Sequence, residues 1–261
     1  MDMKNSRITN SLLRMLGMET VNDINSYVMD VVSRNFVVMN SMEHIQSIFG
    51  DSFYEFLNGL SEEEIMDLRT WTSYNFVDIN AILRGNWNHW WNGVLTSDKE
   101  KQLRQTSDRL SSVIDRYNTP DMDFVVFRGA TLTSFAGYGV TSLLDLKKLK
   151  GGFLYELGFT STSLLRDSSY FGKDLNNGKN YNVEIRYLIP SESNDGVLLT
   201  SNDTSHYNEE VEYLINKGSL SKVIDVEVDE VENKAYLTIM LIPKKVYDMT
   251  QQMGKKGSKN I

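Results

Sequence analysis

Apolar residues recur at intervals of three and four along the first part of the chain, as in Val28, Val31 and Val32 and again in Ile45, Ile48 and Phe49. That is the period of an amphipathic helix, and no proline interrupts it before Pro120. The pattern predicts a helical layer from Met1 to about Tyr117. Ser61 followed by Glu64 has the form of a capping box and opens a predicted helix over Glu62 to Arg69, and Asp98 to Tyr117 repeats the amphipathic spacing. After Pro120 the pattern shortens. Phe124 to Phe127, Tyr155 to Thr160, Tyr181 to Ile189, Gly196 to Thr200, Ser221 to Val228 and Lys234 to Ile242 are short runs rich in β-branched and aromatic residues, separated by Gly, Asn, Asp and Ser. Strands following strands, rather than alternating with helices, predict an α+β layout with antiparallel pairing. The Lys- and Gly-rich stretch from Thr250 to Ile261 is expected to be disordered.

With 261 residues the chain has room for one large domain or two small ones, and a hydrophobic fraction of 41% with 24% charged residues is that of a folding sequence. No run approaches the roughly 18 apolar residues needed to span a bilayer, and Met1 to Arg14 lacks the pattern of a signal peptide. Cysteine is absent, which excludes disulfides and thiolate metal sites. The net charge of −8 argues against a broad nucleic-acid footprint, so an anionic ligand must be held by a few placed groups. His44, His89 and His206 are far apart without ligand spacing, and no metal is expected.

Neither a dinucleotide fingerprint nor a phosphate-binding loop occurs, because Gly137 and Gly139 are followed by neither a third glycine nor a Lys-Ser/Thr pair. Three segments of the sheet half carry candidate chemistry instead. The run Phe124 to Phe127 ends at Arg128 and Gly129, and an arginine at a strand end either grips a phosphate or carboxylate with its planar fork or simply faces solvent. Ser161 and Ser163, within Gly158 to Leu164, share one face of a strand, where a hydroxyl can orient a carboxylate. Glu210 and Glu212 flank Val211 before the apolar run Tyr213 to Ile215. On an extended chain they lie on one face about 6 to 7 Å apart, close enough for repulsion to raise one pKa. The alternative is an acidic loop entering a strand.

In this order the three segments resemble the arginine, Ser-Thr-Ser and Glu-x-Glu signature of arginine-specific mono-ADP-ribosyltransferase toxins, the group that includes the enzymatic components of clostridial binary toxins acting on actin. Trp71, Phe76, Ile79-Asn80 and Leu83-Arg84 resemble that family's helix with two aromatics, an Ile-Asn pair and a terminal Leu-Arg. The family often has Tyr where this chain has Trp71 and Phe76, so a hydroxyl contact there is lost or replaced, and both rings also suit core packing. In the loop after Ser163, Phe171 and Arg166 are candidates for the family's aromatic against nicotinamide and its basic group against phosphate. The resemblance covers roughly Ser47 to Pro243.

The resemblance implies an ADP-ribosyltransferase fold, two bent and mainly antiparallel sheets forming an NAD cleft beside the helical layer. It implies a catalytic domain over residues 47–245, with residues 1–46 as a helical extension and 246–261 as a flexible tail. The implied reaction splits NAD+, with no metal, and attaches ADP-ribose to an arginine of a target protein, releasing nicotinamide. Glu212 would stabilise the oxocarbenium-like ribose, Ser161 would orient Glu212, and Arg128 and Gly129 would hold the phosphate and nicotinamide ends. Asn80, Arg84, Trp71, Phe76 and Phe171 would complete the NAD contacts. Glu210 would assist the acceptor guanidinium, with Tyr207 facing the target protein. A target such as actin, a delivery component, and action in a target-cell cytosol after secretion or phage delivery are further implications. NAD+ glycohydrolysis on the same residues, and a binding module that keeps the fold without turnover, are the alternatives.

Overall fold

The computed structural model describes residues 21–88, 92–172, 180–201 and 203–246. The predicted tail from Thr250 and the candidate His89 lie outside the described residues. The helical half consists of α1 (Val21–Val32), α2 (Met42–Asn58), α3 (Glu62–Thr70), α4 (Phe76–Arg84) and α5 (Ser97–Ile114). Their starts follow from local chemistry. The Ser61 hydroxyl accepts from the Glu64 N–H at 3.3 Å while the Glu64 carboxylate accepts from the Ser61 N–H at 2.8 Å, the reciprocal box that the sequence predicts. Ser41 and Thr96 cap α2 and α5 by accepting from His44 and Lys99, each cap stabilising its helix by about 1 kcal/mol. Arg109 of α5 holds the buried Asp67 of α3 through two bonds of 2.6 and 2.9 Å, which fixes the end of α3.

Beyond that end the chain departs from the single aromatic helix that the resemblance suggests. Ser73 has ψ −163°, outside the helical range, and its hydroxyl turns back to the Thr70 carbonyl at 2.6 Å. A hydroxyl that competes for helical carbonyls favours such a break. Trp71 therefore closes α3 and points into the core, while Phe76 opens α4 and is 44% exposed.

The strands are β1 (Val37–Val38), β2 (Phe124–Ala130), β3 (Phe153–Glu156), β4 (Thr160–Ser163), β5 (Val183–Ile189), β6 (Gly196–Leu199), β7 (Glu212–Ile215), β8 (Ser219–Asp229) and β9 (Lys234–Ile242). They form one hydrogen-bonded path, β3-β8-β9-β5-β2-β4-β7-β6, with β1 added beside β2. Pairing is antiparallel except for β1 with β2 and β5 with β9. The step from β2 to β4 rests on one partnered position, Phe127 opposite Ser163, whereas β2 and β5 pair from Phe124 to Ala130. The sheet thus divides at β2 into two halves.

The expected continuous strand from Tyr155 to Thr160 is two strands in different places, β3 against β8 and β4 against β7. The reason is Asn80. Its side-chain carbonyl accepts from the Phe159 N–H at 2.9 Å and its amide donates to the Phe159 carbonyl at 3.2 Å, so the chain is pinned to α4 between the two strands. Gly158 lies so close to the Asn80 side chain that a Cβ would have no room.

The largest core cluster joins α2, α3, α4 and α5 to β2, β6 and β7, with Phe124 packed edge-on against both Phe49 and Tyr213 at 5.3 Å. Each such ring, fully buried, contributes about 1.5–3 kcal/mol. On the other half of the sheet, Ile24, Val28 and Val31 of α1 pack with Phe153, Leu220, Met240 and Ile242. The Tyr27 hydroxyl and the Arg34 guanidinium both donate to Glu192 at 2.9 Å. The described part of the N-terminal extension is therefore built into the core. Among the described residues no helix is long and apolar enough to cross a membrane.

Candidate functional site

The apolar strand β2 carries Arg128 next to β4, and one Arg128 Nη donates to the Ser161 carbonyl at 2.6 Å. Ser161 stands opposite Leu214 in the β4–β7 register, which makes Glu212 its diagonal neighbour on the same face, with the Ser161 hydroxyl near enough to favour the ionised Glu212 carboxylate. Arg128, Ser161 and Glu212 are thus brought together, the backbone of Ser161 holding the arginine and its side chain lying beside the acid. Glu212 is buried and receives a further bond from the indole N–H of Trp71 at 3.2 Å. Burial pushes the Glu212 carboxyl above the ordinary glutamate range, opposed by the Ser161 and Trp71 hydrogen bonds; the charge of Glu210 raises it further and that of Arg128 lowers it. A carboxylate held in this way, poor in water and fixed by donors, can stabilise a cation that develops beside it.

Glu210 does not share an extended strand with Glu212. It ends a short 3-10 turn, Asn208–Glu210, whose closing bond runs from the Glu210 N–H to the Tyr207 carbonyl at 3.1 Å. Val211 then adopts φ +46°, so the chain swings before β7 begins at Glu212. The expectation of two carboxylates on one strand face is corrected: one left-handed residue between them sends Glu210 out on a turn and Glu212 into the core. Ser163 stabilises that turn, its hydroxyl donating to the Glu210 carbonyl at 2.7 Å, and Ser168 donates to the Glu209 carbonyl at 3.1 Å. Tyr207 at the head of the turn is exposed.

The remaining sequence candidates separate into those near these three residues and those engaged elsewhere. Trp71 is buried behind Glu212, packed edge-on against Phe159 at 5.1 Å, and Phe76 lies 6.1 Å from its ring. Asn80, expected at the NAD contacts, has both ends of its amide occupied by Phe159. Arg84 pairs with Glu156 at 2.9 Å, and both lie with Arg128 in the electrostatic surroundings of Tyr187, whose phenol burial pushes up to about 12. Arg166, a candidate for phosphate, instead bonds Glu184 at 2.6 Å, and Arg186 bonds the other oxygen of the same carboxylate at 2.6 Å. Glu184 is fully buried, and a buried carboxylate left without a cation is severely destabilising, which explains the engagement of Arg166. Phe171 rests against Tyr236 of β9 at 5.4 Å. The indole N–H of Trp71 toward Glu212 and the hydroxyl of Ser168 are site contacts that sequence reasoning missed, and Ser163, expected to face a carboxylate, bonds the Glu210 backbone carbonyl instead.

Gly129 is a tight point of the site, hemmed in by backbone. Its N–H donates to the Ser169 carbonyl at 2.5 Å, and a Cβ there would stand 2.6 Å from both that oxygen and the Phe171 nitrogen. Those are backbone atoms that cannot rotate away. Gly129→Ala is expected to destabilise the fold by about 1–3 kcal/mol, seen as a lowered midpoint in chemical denaturation. An unchanged midpoint would mean that the loop over β2 moves without cost.

Comparison with known proteins agrees with this architecture. The ADP-ribosyltransferase exoenzyme family matches residues 46–245, and the chain belongs to that family. Among curated proteins none matches it in sequence. The C3stau2 protein of S. aureus, solved with NAD, is 18% identical and superposes with a TM-score of 0.63 over 81% of this chain and 100% of its own. The C3 exoenzyme of Clostridium limosum is 16% identical, with a TM-score of 0.60 over 80% of this chain and 98% of its own. BECa, an ADP-ribosylating toxin of a C. perfringens binary enterotoxin solved with NADH, is 17% identical, with a TM-score of 0.62 over 80% of this chain but 50% of its own. The fold is that of these proteins, and the chain is an ADP-ribosyltransferase.

Proposed function

We propose that this chain is a mono-ADP-ribosyltransferase that cleaves NAD+ and transfers ADP-ribose to an arginine of a target protein, residues 47–245 forming the catalytic domain. The observation that carries the reading is the set Arg128, Ser161 and Glu212 with Glu210 on an adjoining turn. In this reading Glu212 faces the ribose as the nicotinamide bond breaks and stabilises charge that is greatest in the transition state. Ser161 and Trp71 keep the carboxylate in orientation. Arg128 holds an NAD phosphate while anchored to the Ser161 carbonyl, and the Gly129 backbone lies close to the nicotinamide amide. Arg84 and Phe76 are assigned to the rim of the NAD site, and Phe171 to its nicotinamide side. Asn80 serves by pinning Phe159 ahead of β4.

The acceptor is assigned from Glu210. A guanidinium is a poor nucleophile while protonated, and a carboxylate beside it orients the fork and assists loss of the proton. Tyr207, exposed at the head of the same turn, is assigned to the target-protein contact. The test is incubation with labelled NAD+ and cell lysates, followed by identification of the labelled residue by mass spectrometry. Label on arginine is expected, and label confined to another residue type would overturn the assignment.

Arg128→Lys keeps a positive charge but loses the planar fork that allows one guanidinium to serve both the Ser161 carbonyl and a phosphate. The KM for NAD+ is expected to rise about tenfold, equivalent to about 1.4 kcal/mol. A KM equal to that of the unaltered protein would remove Arg128 from the NAD site.

A further inference from the structure

The loop that follows β4 and the turn that precedes β7 are joined along their length. The Leu164 N–H donates to the Val211 carbonyl at 3.1 Å, Ser163 and Ser168 donate to the Glu210 and Glu209 carbonyls, and the Tyr170 hydroxyl donates to the Glu210 carboxylate. The last of these is the one that reaches a charged side chain, and the fold goes to some cost to make it. Tyr170 has φ +64° and Val211, next to Glu210, has φ +46°. Residues with a side chain seldom adopt that region, and held together by their surroundings they mark places where geometry serves a function. The constraint on Tyr170 is visible: the backbone of Ser169 to Phe171 lies against Gly129, so closely that no Cβ fits between them.

We infer that Tyr170 is a positioning residue for the acceptor step, its phenol holding the Glu210 carboxylate in one orientation and so setting how a guanidino group docks beside Arg128, Ser161 and Glu212. The inference rests on the arginine reading given above. A carboxylate has two oxygens and can accept a bidentate fork, and a phenol that fixes one oxygen decides which edge the fork can approach. The hydrogen bond to Glu210, then burial, raises the Tyr170 pKa, so the phenol remains a donor at neutral pH. Tyr170 is still partly exposed, so an incoming acceptor can reach the pair. Sequence reasoning had no signal for it, because the two partners are 40 residues apart and neither the Glu-x-Glu nor the Ser-Thr-Ser segment includes a tyrosine at that place.

The experiment compares Tyr170→Phe with the unaltered protein in two reactions on one preparation: transfer of ADP-ribose to agmatine, a free guanidino compound, and release of nicotinamide into water without an acceptor. Transfer is expected to fall about tenfold more than hydrolysis, with the acceptor's KM raised, since hydrolysis needs no oriented guanidinium. Introduced into Glu210→Gln, the same change should cause no further loss of transfer, because a residue that acts through Glu210 is silent once that carboxylate is gone. Hydrolysis serves as the check on folding. Equal loss of both reactions, or an additive loss in the double variant, would assign Tyr170 a merely structural role and overturn the inference alone. An unaltered protein that hydrolyses NAD+ and labels neither agmatine nor protein arginine would overturn the arginine reading, and the inference with it.

Discussion

Glu212→Gln is expected to lower both ADP-ribose transfer and NAD+ hydrolysis by about 100-fold or more, the scale associated with removing one preorganised electrostatic group from a transition state. The change keeps the shape of the side chain and an oxygen able to accept from Trp71 and Ser161, so what is lost is charge. NAD+ affinity should change little, because the charge opposes a cation that is fully formed only as the nicotinamide bond breaks. Stability should move the other way. The folded-state pKa of Glu212 lies above its unfolded value, so ionising it costs stability, which is highest below the ordinary glutamate pKa and declines as pH rises through the window above it. Removing the ionisable group removes that cost, so Glu212→Gln should melt at or above the temperature of the unaltered protein at neutral pH. The same raised pKa places the acid limb of the rate profile above the ordinary glutamate range. Near-normal turnover in Glu212→Gln would overturn the site.

How much of this was legible in the sequence follows from the range of each interaction. The capping box at Ser61 and Glu64 and the runs that became β2, β5, β8 and β9 were readable because local spacing decides them. The segments bearing Arg128, Ser161 and Glu212 were readable as a set by resemblance, and the register of β4 with β2 and β7 brings them together. What escaped the sequence depends on partners far along the chain. Trp71 reaches Glu212 across 141 residues, and Asn80 reaches Phe159 across 79, splitting what reads as one strand. Arg166 carries the composition of a phosphate ligand, yet the desolvated Glu184 claims it. No periodicity announces the left-handed turn at Val211, a β-branched residue for which that conformation is rare.

That turn gives the paired carboxylates separate surroundings, and it is the basis for expecting Glu210→Gln to uncouple the two reactions. Glu212 sits at the start of β7, buried among Ser161 and Trp71, whereas Glu210 ends a 3-10 turn and meets Tyr170. Loss of the Glu210 charge therefore leaves the hydrogen bonds of Glu212 in place. It also relieves a repulsion, since the charge of Glu210 is one of the causes that raise the Glu212 pKa. Bond cleavage should persist, and a substantial part of the hydrolysis with it, because water captures an oxocarbenium-like ribose without a base dedicated to a guanidinium. Transfer should be lost almost entirely, since an amide neither neutralises the guanidinium nor takes its proton. Nicotinamide release and labelling of arginine would be followed on one preparation, with Glu212→Gln as the control in which both fall together. Equal loss of the two in Glu210→Gln would place Glu210 in bond cleavage and leave the acceptor unassigned by it.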